Sequence, residues 1–125
     1  MWFNVDMRSS VPIYKQIKRN IYETIMKGEL KNGEMLPSIR DLASSIRVNP
    51  NTVVRAYREM ENEGTVMARQ GMGYIVTTSK KNIKKMLLDE LKKDLTDYLV
   101  KYRKLGLSIE EVLEVTESIW KENKM

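Results

Sequence analysis

Apolar residues recur along the chain at two different periods, and the changes of period divide it into segments. Ile13, Ile17, Ile21 and Ile25, joined by Tyr14, Tyr22 and Met26, keep helical spacing until Gly28. Pro12 suits the opening of that helix, because its missing N–H has no partner to lose in a first turn. Gly28 to Pro37 holds two glycines and a proline and reads as a loop of turns. Ser38 then caps a short helix carrying Ile39, Leu42, Ala43 and Ile46 on one stripe. Asn49 caps a third helix, Pro50 takes its first position and Gly64 ends it. Two short helices joined by a tight turn form a helix-turn-helix pattern. The period then drops to two: residues 65–68 and 74–77 predict strands around Arg69-Gln70-Gly71-Met72-Gly73, a hairpin with a glycine-bearing tip. A helix-turn-helix followed directly by a hairpin is a winged helix. Ahead of all this, Trp2 to Val5 alternate too briefly for more than a marginal strand and read as a packing segment.

Helical spacing returns after Ser79. Ile83, Leu87, Leu91, Leu95, Tyr98, Leu99 and Tyr102 mark one long amphipathic helix ending at Gly106. Ser108 and Glu111 form a capping box for a last helix bearing Ile109, Val112, Leu113, Thr116, Ile119 and Trp120. The composition change places a boundary at 78/79, with a winged helix-turn-helix in 1–78 and a two-helix region in 79–125. The fold class is thus mainly α with a small β-hairpin. Two helices in a hairpin cannot enclose a core, because each has one neighbour against which to bury its stripe. Self-association is the expected cover. The interface falls on Leu87, Leu91, Leu95, Tyr98, Leu99 and Tyr102 of the long helix and on Val112, Leu113, Ile119 and Trp120 of the last one.

Composition removes much of enzymology. The chain has 125 residues with no Cys and no His, so thiol nucleophiles, Ser-His triads, Cys/His zinc sites and imidazole bases are absent. No carboxylate pair stands in a cleft-forming context, and neither an enzyme nor a cofactor is expected. With 42% apolar residues there is material for one modest core. No run of ~18 apolar residues and no leader pattern occurs, which favours a cytoplasmic protein with no membrane partner. The 22 Lys and Arg exceed the 17 Asp and Glu, giving a net +5 that favours an anionic partner. Lys80, Lys81, Lys84 and Lys85 read as a solvated helix face, and Met26, Met60, Met67 and Met86 as core filling.

The third helix is where charge becomes specific. At ~100° per residue, Val53, Ala56, Tyr57 and Met60 cluster on one side and Asn51, Arg55, Arg58 and Asn62 on the other. Asn and Arg pair bidentately with adenine and guanine edges, and a helix entering a major groove N-terminus first brings Asn49, Asn51, Thr52 and Arg55 nearest the bases. Arg58, a turn later, reaches phosphate more easily. Arg40 lies in the first turn of the preceding helix, where backbone N–H groups and a guanidinium can hold a phosphate together. Arg69, Gln70 and Gly71 lie at the hairpin tip. Double-stranded DNA is the expected partner. An ordinary polar helix face on a protein-binding module is the competing reading.

These residues also carry a family resemblance. Pro12-Ile13-Tyr14-x-Gln16-Ile17, Gly28-x-Leu30-x-x-Gly33-x-x-Leu36-Pro37-Ser38-x-Arg40-x-Leu42-Ala43, Val48-Asn49-Pro50-Asn51-Thr52-Val53-x-Arg55-Ala56-Tyr57 and Glu63-Gly64 with Gly71-x-Gly73 together resemble the GntR transcriptional regulators. The Asn-Pro-Asn-Thr-Val opening of the third helix and the short two-helix tail resemble the YtrA-type subgroup. The resemblance implies a homodimeric repressor at a short inverted repeat, with DNA contacts from Arg40, from Asn49 to Arg55 and from Arg69 to Gly73. Two departures matter: Pro50 stands where some members carry a base-contacting Arg, and Met72 removes a wing charge. Residues 79–125 leave no room for a usual effector pocket of ~300 Å³ within one subunit, so an effector is unknown and would need the dimer interface.

Overall fold

The computed structural model describes residues 3–123, so Trp2 of the expected packing segment lies outside the described residues. Along them run α1 (Ile13–Met26), α2 (Ile39–Ile46), α3 (Pro50–Asn62), β1 (Val66–Arg69), β2 (Gly73–Val76), α4 (Lys80–Lys104) and α5 (Ile109–Glu122). The fold is mainly α with one antiparallel hairpin, as the patterning predicts. Two compact units divide the chain, residues 1–86 and 87–125.

The first unit is built on the stripes read from the sequence. Ile17, Ile21 and Ile25 of α1 meet Leu42 and Ala43 of α2, Val53, Ala56, Tyr57 and Met60 of α3, and Val66 and Val76 of the hairpin in one buried cluster. Ile83, in the first turns of α4, is also fully buried there. The unit therefore closes at Met86, eight residues beyond the composition change at 78/79, because the α4 stripe still has core to meet.

Pro12 sits one position earlier than expected: it is the N-cap of α1, with its carbonyl accepting from the amides of Lys15 and Gln16, both at 3.1 Å. Residues 3–5 form no strand, but Phe3 is buried in the core. Gln16 fixes the incoming chain by accepting from the Asp6 amide at 2.8 Å while its own amide donates to the carbonyls of Asp6 and Val11. Gln16 of the Pro-Ile-Tyr-x-Gln motif thus has a structural role.

The loop before α2 is more ordered than two glycines and a proline suggest. Gly33 donates to the Val76 carbonyl, Val76 to the Glu34 carbonyl and Leu36 to the Tyr74 carbonyl. Met35 consequently pairs with Ile75, so β2 has a neighbour on each side, Met35 on one and β1 on the other. Met67 pairs with Ile75 from β1, and both methionines are about half exposed. Met67 is therefore not core filling; Met60 is buried, and Met26 and Met86 are partly so, packed on the core.

In the second unit, Leu107 closes the turn after α4 by donating to Tyr102, and Gly106 takes a positive φ of 105°. Ser108 accepts from the Glu111 amide while the Glu111 carboxylate accepts from the Ser108 amide, the reciprocal cap read from the sequence. No residue of α5 is buried, and Trp120 is 81% exposed.

Candidate nucleic-acid interface

The turn between α2 and α3 is made by Arg47, in the left-handed region at φ 57°. Beyond it α3 packs against α2. At the start of α3 Asn49 folds its side-chain oxygen onto the Asn51 amide at 2.8 Å. Asn49 is therefore a working cap that commits one lone pair of its side-chain oxygen to α3, while its amide donors stay open to a base contact.

Contacts from α1, the approach to α2 and both strands hold α3 in place. The buried Tyr57 hydroxyl donates to the Pro37 carbonyl at 2.7 Å, joining α3 to the approach of α2. Burial, with the Tyr74 hydroxyl beside it, pushes that hydroxyl far above the usual tyrosine range, so it stays a donor. The Tyr57 ring meets Tyr74 of β2 edge to face at 5.1 Å. Lys18 of α1 reaches Glu59 at 3.0 Å and Glu63 at 2.9 Å, and Tyr22 donates to Glu63 at 2.8 Å. Burial pulls the Lys18 ammonium down, but its two carboxylates outweigh this and raise it. Glu61 accepts from the Ala68 amide of β1 at 3.2 Å. The carboxylates of α3 are thus all engaged in its C-terminal half, and its N-terminal half carries only polar and cationic side chains on the outer side.

That outer side consists of Asn51, Arg55 and Arg58, all exposed, with Thr52 half-buried at its margin. Arg40 is exposed in the first turn of α2, behind the Ser38 cap that accepts from Asp41. Arg69, Gln70 and Gly71 are exposed at the hairpin tip, where Met72 donates to the Arg69 carbonyl and Gly71 takes φ 78°, a conformation that favours glycine. Among the described residues none of Arg40, Arg55, Arg58 and Arg69 pairs with a carboxylate. Among the described residues no hydrogen bond or ion pair joins the α2, α3 and tip groups to one another; one packed unit carries them. One partner was not anticipated: the Arg55 guanidinium lies over the Tyr14 ring at 3.8 Å. The helical stripe of α1 places Tyr14 with the core, and the structure adds its contact with Arg55.

Residues 13–76 match the family described as bacterial regulatory proteins, gntR family. The HTH-type transcriptional repressor YtrA of Bacillus subtilis (strain 168) is 37% identical, over 92% of this chain and 89% of that one. The HTH-type transcriptional regulator YhcF of the same organism is 43% identical, over 86% of this chain and 88% of that one. A GntR family transcriptional regulator from Listeria monocytogenes has a similar structure, with a TM-score of 0.72 and 32% identity over 91% of this chain and 98% of that one. These relatives are regulators of transcription, not enzymes. The chain belongs to the GntR family of bacterial regulatory proteins, and its likeness there is to the YtrA type.

Proposed function

We propose that this DNA-binding transcriptional regulator acts in the cytoplasm as a homodimeric repressor on a short inverted-repeat operator. The carrying observation is the outer side of α3, where Asn51, Arg55 and Arg58 are exposed, unpaired with carboxylates and opposite a fully buried stripe. Asn51 and Arg55 meet base edges in the major groove, with Asn49 and Thr52 beside them; Arg58 and Arg40 hold phosphates. Arg69, Gln70 and the Gly71 backbone meet the flanking groove or backbone. Pairing occurs through the second unit, whose apolar residues from Leu87 to Trp120, apart from the half-buried Val112, are exposed in a single chain. A two-fold dimer presents two α3 helices to successive major grooves ~34 Å apart, which requires an inverted repeat.

Selecting duplexes from a random pool tests this, followed by titration of the enriched sequence at several salt concentrations. An inverted repeat should emerge. With Arg40, Arg58 and Arg69 of both subunits on phosphates, the log–log salt slope should be about −5. Enrichment of no sequence, or binding insensitive to salt, would favour the protein-binding module instead. The chain shortened to residues 1–86, which keeps the whole first unit, should be monomeric and bind the full operator more weakly. A full-length monomer at micromolar concentration would end the dimer reading.

A further inference from the structure

We infer that Tyr14 is a positioning residue for Arg55, holding its guanidinium ready to read a base without occupying any of its N–H donors. The inference rests on the reading of Arg55 as a base contact. An exposed arginine on a helix is free to sample many rotamers, and a bidentate contact to a guanine edge must select one. A carboxylate partner would restrict those rotamers but would consume the in-plane donors that the base needs. An aromatic face restricts them differently, because it meets the flat side of the cation and leaves the edge donors open. Tyr14 supplies that face, with its ring centroid 3.8 Å from Arg55 Cζ.

The ring is itself well supported. Tyr14 lies in the first turn of α1, half-buried and packed against the core, while Arg55 is exposed. Among the described residues the Tyr14 hydroxyl makes no hydrogen bond, so the ring face is what Tyr14 contributes to Arg55. The α1–α3 interface, braced further along by Lys18 with Glu59 and Glu63, fixes the distance between the two residues.

The test uses the full-length chain with Tyr14→Phe, Tyr14→Leu, Tyr14→Met, Arg55→Ala and the Tyr14→Leu/Arg55→Ala double variant. Each is titrated against the selected operator and against operators with single base pairs exchanged, with melting temperature recorded alongside. Tyr14→Phe should bind within about two-fold of the parent. Tyr14→Leu and Tyr14→Met should lose roughly two- to five-fold on the best operator, the scale of an exposed cation–ring contact. Their preference should flatten at the base pair where Arg55→Ala flattens it, and Tyr14→Leu should cost nothing more once Arg55 is gone. Equal loss on every sequence, or undiminished loss in the Arg55→Ala background, would overturn the inference. So would failure of Tyr14→Phe to rescue, which would point to the hydroxyl, or tighter binding by Tyr14→Leu, which would mean that the ring holds Arg55 off the groove. If Arg55→Ala itself keeps full base preference, the base-contact reading fails and this inference falls with it; a defect in Arg55→Ala with none in Tyr14→Leu overturns the inference alone.

Discussion

Arg40 and Arg55 are both exposed, and neither has a carboxylate partner among the described residues, but their surroundings assign them different work. Arg55 is ordered by a ring on the outer side of α3, which suits recognition of one planar edge. Arg40 stands in the first turn of a helix, whose N-terminal end favours an anion, and this suits a phosphate whatever the sequence. Arg55→Ala should therefore lower operator affinity by ~1–3 kcal/mol and relax preference at one base pair in a substitution series. Arg40→Ala should weaken binding to all sequences alike and reduce the magnitude of the salt slope by about two, one phosphate contact in each subunit. Equal loss of specificity from both would contradict this division. The opposed faces of α3 were legible in the sequence because an angle of ~100° per residue needs only local information. The ring under Arg55 was not, since it lies on another helix and an aromatic within an apolar stripe counts as core by default. Asn49 was legible as a cap, and the structure adds that the cap engages one lone pair of its side-chain oxygen and so orients the amide.

Elements bounded by chemistry at their ends were read most closely. Ser38, Asn49 and Ser108 each accept the backbone hydrogen bond that their position in the sequence predicts. The Glu34–Leu36 segment was missed for the opposite reason: its order depends on β2, some forty residues later, and no local pattern records that pairing. The start of α5 gives a pH-dependent consequence. Hydrogen bonds from the Ser108 amide and hydroxyl hold the Glu111 carboxyl below its usual range. Because the folded value is depressed, its contribution is complete above the ordinary glutamate range and is lost as pH falls through the lowered value. In circular-dichroism melts at low salt, Glu111→Ala should be less stable than the parent at neutral pH. That difference should close below about pH 4, the ordinary glutamate range. A difference that persists unchanged into acid would show that the effect does not come from the ionised carboxylate of the cap.

For the molecule as a whole, the division at Met86 places the start of α4 with the winged helix. Ile83 is fully buried, so Ile83→Ala should destabilise the first unit by ~2–5 kcal/mol although it lies outside the family match. Residues 1–86 should accordingly melt cooperatively and well above residues 1–78; equal melting temperatures would show that Ile83 adds nothing. The composition change marked where the residue types shift, whereas the core continues until its last apolar neighbour is covered. Beyond that point, α5 has no buried residue. A helical hairpin with no interior of its own can shield its amides from deuterium only while another chain covers it. Exchange in residues 87–123 should therefore slow as protein concentration rises, while exchange at Ile21, Val53 and Val76 keeps one rate throughout. The clock in the second unit would then report how many copies of the chain are present.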